Sequence, residues 1–200
     1  MIIAISGTPG AGKTIVCNRL RDGIGKHKGT DSYNIIDLND LIISEKLYTG
    51  TDDKRGSLIV DMERLKDAVR SVVGSDIEEE CIITIIEGHL SHLLADCVIV
   101  LRCAPQQLKE RLFEKGFNER KIQENLEAEC LDVILIEAVE QSKLVYEINT
   151  THKTVEQVGA EIEMIIHAIM SGDIEAISDY QPGMIDFSMD IEYTFEGWQQ

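Results

Sequence analysis

Two hundred residues, 44% hydrophobic and 28% charged, describe one soluble domain with enough chain to bury a real core. A formal net charge of −17 excludes a globally basic nucleic-acid binder, because phosphate contacts need Lys and Arg; no direct DNA binding is expected. No run approaches the roughly 18 apolar residues of a membrane span.

The chain enters its opening run, IIAIS over 2–6, without a basic leader, so neither a membrane nor an export signal is expected. That run reads as a strand covered on both faces, as in a parallel sheet. It leads into GTPGAGKT, residues 7–14, at the head of a helix predicted over 13–24. Gly7, Gly12, Lys13 and Thr14 complete the GxxxxGK[ST] pattern, with the strand before it and the helix after it that the pattern requires. Gly10 and Gly12 let main-chain N–H groups face oxygens, and the helix N-terminus attracts anionic phosphate. Lys13 supplies a mobile cation for β- and γ-phosphates, and the Thr14 hydroxyl suits Mg²⁺. The backbone N–H of Ile15 is expected on the α-phosphate side. The pattern predicts a bound nucleoside triphosphate. No NKxD motif reads guanine.

Further along, YNIID over 33–37 reads as a strand, and 38–47 and 61–73 as helices. The run ending IITIIEGH gives a strand over 82–86 with an acid, Glu87, at its end. There Glu87 is placed to hold Mg²⁺ through water, and His89 to orient water or a phosphoryl oxygen, or to serve as a structural histidine. His92 reads as structural or as a surface residue. A strand over 97–101 follows, then helices over 105–114 and 119–142. This stretch gathers Arg102, Lys109, Arg111, Lys115, Arg120 and Lys121 in an otherwise acidic chain. Cations closing over a moving phosphoryl group stabilise it, but Glu110, Glu114 and Glu119 also make them ordinary helix pairs. Lys115 and Arg120 look most like closing residues. A strand over 145–148 precedes a helix over 154–170 that opens on a capping box, Thr154 to Gln157. Strand–helix alternation of this kind predicts a three-layer α/β fold, about five parallel strands with helices on both faces.

Residues 172–200 carry acids and no Lys or Arg, yet hold Tyr180, Phe187, Tyr193, Phe195 and Trp198, half of the chain's aromatics. Such a tail is expected to dock on a partner or to fold back over the domain, with docking slightly favoured and plain disorder as the third reading. Five cysteines, Cys17, Cys81, Cys97, Cys103 and Cys130, are scattered without a CxxC pair. They read as buried, reduced thiols of a cytoplasmic protein rather than disulfides or zinc ligands.

In order, GTPGAGKT, DLNDLIISEKLY, EGHLSHLL, VIVLRC, RLFEKGFNERKIQENLEAE and VYEINTT resemble the adenylate kinase isoenzyme 6 family, over about residues 1–170. This is the atypical archaeal and nuclear branch of the nucleoside monophosphate kinases, also a ribosome assembly factor. The tail motif YQPGMIDFS is similar to the C-terminal extension of archaeal members. The resemblance implies a P-loop NTPase fold of nucleoside monophosphate kinase type and phosphate transfer from ATP to AMP with Mg²⁺. It implies a domain over 1–171, with a monophosphate-binding segment at 37–60 and a short lid at 114–124. Gly10, Ala11, Gly12, Lys13, Thr14, Ile15 and Lys115 would bind ATP. Asp37, Asp40 and Arg55 would serve AMP, and Lys13, Glu87, His89 and Arg120 catalysis, with Thr14 and Glu87 at the metal.

Three departures stand out. Lys115 occupies a place where relatives often have Arg. Ile43 occupies one where some have Arg, which leaves Lys46 or Arg55 to supply that charge. Glu87 occupies one where some have Asp. The family is also linked to maturation of small-subunit ribosomal RNA through a basic small-subunit ribosomal protein, which an acidic enzyme would suit. Two other roles use the same fold. One is an assembly ATPase with little AMP kinase activity, the other a kinase of another small metabolite.

Overall fold

The computed structural model describes residues 1–23, 33–52, 57–75 and 83–191. Arg55, Cys81, Tyr193, Phe195 and Trp198 lie outside the described residues. In chain order the elements are β1 (Ile2–Gly7), α1 (Lys13–Gly23), β2 (Tyr33–Asp37), α2 (Leu38–Ser44), β3 (Tyr48–Asp52), β4 (Ser57–Val60) and α3 (Met62–Ser75). They continue with β5 (Ile83–Glu87), β6 (Cys97–Arg102), α4 (Pro105–Glu114), α5 (Glu119–Cys130), α6 (Val133–Gln141), β7 (Leu144–Asn149) and α7 (Val155–Ser171). Short 3₁₀ turns follow at Ile174–Tyr180 and Ser188–Ile191.

Five strands form one sheet in the order β2-β5-β1-β6-β7, every neighbouring pair parallel. Side chains alternate between the faces of a strand, so one apolar run feeds two cores. Ile3, Ile5, Ile99 and Leu101 pack on the α1 and α7 side with Val16, Leu20, Ile162 and Ile166. Ala4, Ile86, Val98 and Val100 pack on the other side with Leu38, Leu65, Val69 and Leu135. That double coverage explains strands without polar alternation, as expected of a three-layer α/β fold.

Three features depart from the expected outline. β3 and β4 form an antiparallel pair within 37–60, where no strand was expected. The helix expected over 119–142 breaks at Asp132, whose φ of 54° lies in the left-handed region. That turn aims the Asp132 carboxylate at Arg102. The described part of the tail folds back onto the domain: Ile177 is fully buried in the α7-side core, with Tyr180 packed against it, and Phe187 is buried too. Elsewhere the local signals hold. Thr154 and Gln157 form the reciprocal capping box that starts α7, and Gly172 closes the helix at φ 76°. Cys17, Cys97, Cys103 and Cys130 are buried free thiols. Among the described residues, no helix is long and apolar enough to cross a membrane.

Candidate functional site

The end of β1 and the start of α1 build a loop whose shape depends on glycine. A Cβ on Gly7, at φ 137°, would lie 2.4 Å from the Leu101 carbonyl oxygen, so the loop begins pressed against β6. At Gly10, φ 95°, a Cβ would lie 2.8 Å from Leu108 Cδ1 of α4. Both positions exclude larger residues, and both hold the loop where the first amides of α1 face a cavity of about 460 Å³. No acid sits in the first turn of α1 to compete for those amides.

Lys13 Nζ donates to the Gly7 carbonyl at 2.7 Å and the Thr8 carbonyl at 3.2 Å, folded over its own loop. Burial pushes its ammonium down to about 8, against the pull of the Glu87 carboxylate; Lys115 pushes the same way as burial. A group in that state gains from an incoming polyanion. Thr14 Oγ1 donates to Glu87 Oε2 at 3.3 Å. Glu87 ends β5 in register with Ile5 on one side and Asp37 on the other. Burial raises its carboxyl, and the neighbouring Asp37 charge raises it further. Two acids at adjacent strand ends beside a hydroxyl form a donor set that suits a hard divalent cation. His89 is held below the ordinary imidazole range by burial and then by Lys13, which favours the neutral ring.

Gly10, Ala11, Gly12, Lys13, Thr14, Ile15, Glu87, His89 and Lys115 all line the one cavity, drawn from three separate stretches of chain. Among the described sequence candidates, Asp40 and Arg120 lie outside the cavity wall, and Asp37 stands behind it beside Glu87. Asp37 caps α2, accepting from the amides of Asn39 at 2.8 Å and Asp40 at 3.2 Å. It is Asn39, not the exposed Asp40, that reaches the cavity wall. Ile43 and Lys46 are exposed. Arg120 points to solvent and pairs with Glu124 at 3.2 Å, one turn along α5 and outside the cavity. His92 is buried, with Nδ1 3.0 Å from Ser6 Oγ and Nε2 2.9 Å from Glu137, and so is structural.

Arg102 is no closing cation at all. It is 2% exposed and donates from Nε to Glu129 Oε1 at 2.9 Å and from Nη1 to Glu147 Oε2 at 3.2 Å. Its Nη2 donates to the Glu129 carbonyl at 3.0 Å and to Asp132. Glu129 also accepts from the Cys103 amide at 3.0 Å and from the Thr8 hydroxyl in the phosphate loop.

Arg111 is the cation that sequence reasoning left unassigned. It lines the cavity and donates from Nη1 to the Gly10 carbonyl at 3.3 Å and Thr150 Oγ1 at 3.4 Å, which ties the loop to the end of β7. Its spacing held a signal: Arg111 and Lys115 are four apart, so they share the helix face that leads into the Gly116 turn. Lys153 also reaches the cavity, from the loop before α7, and no local pattern marks it.

The family described as an AAA domain matches residues 3–132. The chain is 44% identical over 187 residues to a protein of Methanosarcina barkeri named "Putative adenylate kinase", covering 94% of this chain and 97% of that one. A protein of the same name from Archaeoglobus fulgidus is 42% identical over 197 residues, covering 98% and 97%. One from Methanocaldococcus jannaschii is 41% identical over 170 residues, covering 84% and 86%. Among solved structures, a shikimate kinase from Acinetobacter baumannii in complex with shikimate superposes with a TM-score of 0.52 at 15% identity, over 84% of this chain and 93% of that one. That likeness is one of fold.

Proposed function

The chain belongs to the same family as these archaeal proteins, with an AAA-type domain over residues 3–132, and from that premise we propose that it is an adenylate kinase. It transfers the terminal phosphate of ATP to AMP and releases two ADP. The observation that carries this reading is the meeting of Lys13, Thr14 and Glu87 on the wall of one cavity, with Thr14 Oγ1 3.3 Å from Glu87 Oε2. Gly10, Ala11, Gly12, Thr14 and Ile15 present the amides that take the phosphates, and Lys13 leaves the Gly7 and Thr8 carbonyls to meet them. Thr14 and Glu87 would hold Mg²⁺, which when bound would neutralise phosphate charge.

The acceptor is already an anion, so transfer needs no general base; catalysis is positioning and charge stabilisation. Lys115 and Arg111 flank the site from α4, and a lid over 114–124 would bring Arg120 toward the transferred group. His89, neutral, is suited to donate or accept one hydrogen bond there. AMP would take the 37–60 segment, served by Asp37, Asp40 and Arg55, with Asn39 added from the cavity wall.

A coupled assay of ADP formation with and without AMP tests the reading. Stimulation by AMP supports transfer, and equal rates point instead to an ATPase. Lys13→Ala abolishes both. A second role, as an ATPase acting in small-subunit ribosome assembly beside a basic ribosomal protein in the cytoplasm, is supported by the net charge of −17 and the family resemblance. Capture of that protein at low but not high salt tests it, because an attraction of this origin is screened.

A further inference from the structure

The phosphate loop and the C-terminal segment grip the same guanidinium from opposite sides. On one side, Thr8 of the loop donates to Glu129 Oε2, and Glu129 Oε1 accepts from Arg102 Nε at 2.9 Å. On the other, Arg102 Nη1 reaches Glu147 Oε2 at 3.2 Å, and the second oxygen of Glu147 accepts from the Ile185 amide at 2.8 Å. Above the guanidinium lies the Phe187 ring, its centroid 5.5 Å from Arg102 Cζ. Arg102, Glu129, Glu147 and Phe187 are all buried.

Both oxygens of Glu129 and both oxygens of Glu147 are committed, and every nitrogen of the Arg102 fork donates. A planar fork so held cannot tilt without dragging its partners. Breaking one of these contacts inside a buried site leaves a charge uncompensated, which favours keeping the set intact. An unbroken chain of contacts thus runs from Ile185 and Phe187 to Thr8.

We infer that the C-terminal segment over 182–191 positions the phosphate loop through Arg102 and Glu129, and that its seating raises affinity for the triphosphate. Arg102 and Glu129 are positioning residues that touch no substrate. The affinity part of this inference rests on the reading of the loop as the ATP site. The segment thus acts on the nucleotide site from outside the cavity, and any partner that lifted it would loosen ATP.

The test uses the full chain. Phe187→Leu keeps an apolar plug but removes the ring over the guanidinium, and Thr8→Val removes the hydroxyl but keeps the shape. Glu147→Gln breaks the link at equal volume and serves if Phe187→Leu is poorly folded. Calorimetry with ATP·Mg is expected to show Kd rising about five-fold in Phe187→Leu and in Thr8→Val, the lower end of ordinary inter-site coupling. The double variant is expected to be no weaker than Thr8→Val alone, since the connection is already cut. In kinetics, KM for ATP rises while KM for AMP holds. Without nucleotide, the Gly10 and Gly12 amide resonances are expected to shift in Phe187→Leu. Effects on Kd that multiply in the double variant overturn the inference. So do unmoved Gly10 and Gly12 resonances in a folded Phe187→Leu protein. Those resonances need no nucleotide, and indifference to AMP in the ADP assay would overturn the kinase reading while leaving the coupling intact.

Discussion

Arg102→Met isolates the energetics of the buried centre. Met reproduces the aliphatic stem of Arg102 but not its guanidinium, so the replacement removes charge and hydrogen bonds while leaving the stem's packing. It leaves Glu129 and Glu147, 2% and 1% exposed, without their cation. Asp132, with its side chain 31% exposed, can turn to water and contributes less. Removing one partner of a buried ion pair costs about 3–5 kcal/mol, so a loss of about 4 kcal/mol is expected here. Unfolding entropy near 2.1 cal/mol/K per residue over 200 residues gives roughly 0.4 kcal/mol/K, and the Tm should fall by about 10 °C. Asp132→Asn should cost about 1 kcal/mol or less, as a partly solvated pair does. The loss also depends on pH in a stated direction. Burial already holds the Glu147 carboxyl above its usual range, while Arg102 pulls it down. Without Arg102 it rises further. An acid whose folded pKa exceeds its unfolded one costs stability in full above the folded value, and the cost is lost progressively as pH falls toward the unfolded value. The gap between wild type and Arg102→Met should therefore narrow from pH 7 to pH 5. Scanning calorimetry at the two pH values measures this, and a loss under about 1 kcal/mol, or a gap that widens at pH 5, refutes the reasoning.

Because the free protein holds Lys13 near 8 and a polyphosphate would raise it, ATP binding at pH 8 should take up part of a proton. Calorimetric enthalpies in two buffers of different ionisation heat measure that uptake, and equal enthalpies count against it. Gly7→Ala places a methyl 2.4 Å from the Leu101 carbonyl oxygen at a left-handed φ, and should cost on the order of 3 kcal/mol in thermal unfolding. Arg111→Met, which loosens the loop from Thr150, should raise Kd for ATP about ten-fold. Arg120→Ala should leave that Kd within about two-fold and lower kcat, the split expected of a cation that acts only in the transition state.

What the amino-acid order determined by itself was everything carried by near neighbours. GTPGAGKT announces its loop because strand, glycines, Lys13 and Thr14 act within one turn of chain. The five strands announce themselves because each is buried on both faces, and the Thr154 capping box because its bonds span three residues. The residues contiguous with these signals, Lys13, Thr14, Ile15, Glu87 and His89, line one cavity. Tertiary structure decided the rest. Arg102 and Arg120 look alike in a run of basic residues, yet one is sealed among Glu129, Glu147 and Asp132 while the other faces water. Asp132 breaks a pattern that reads as one helix, and its acid meets a side chain thirty positions away. The tail's aromatics could have served a partner or the domain, and only the pocket beside Arg102 shows where Phe187 goes. A residue's propensity and periodicity are local quantities, whereas a buried charge takes its role from whichever distant groups neutralise it, and those are known only once the chain has folded.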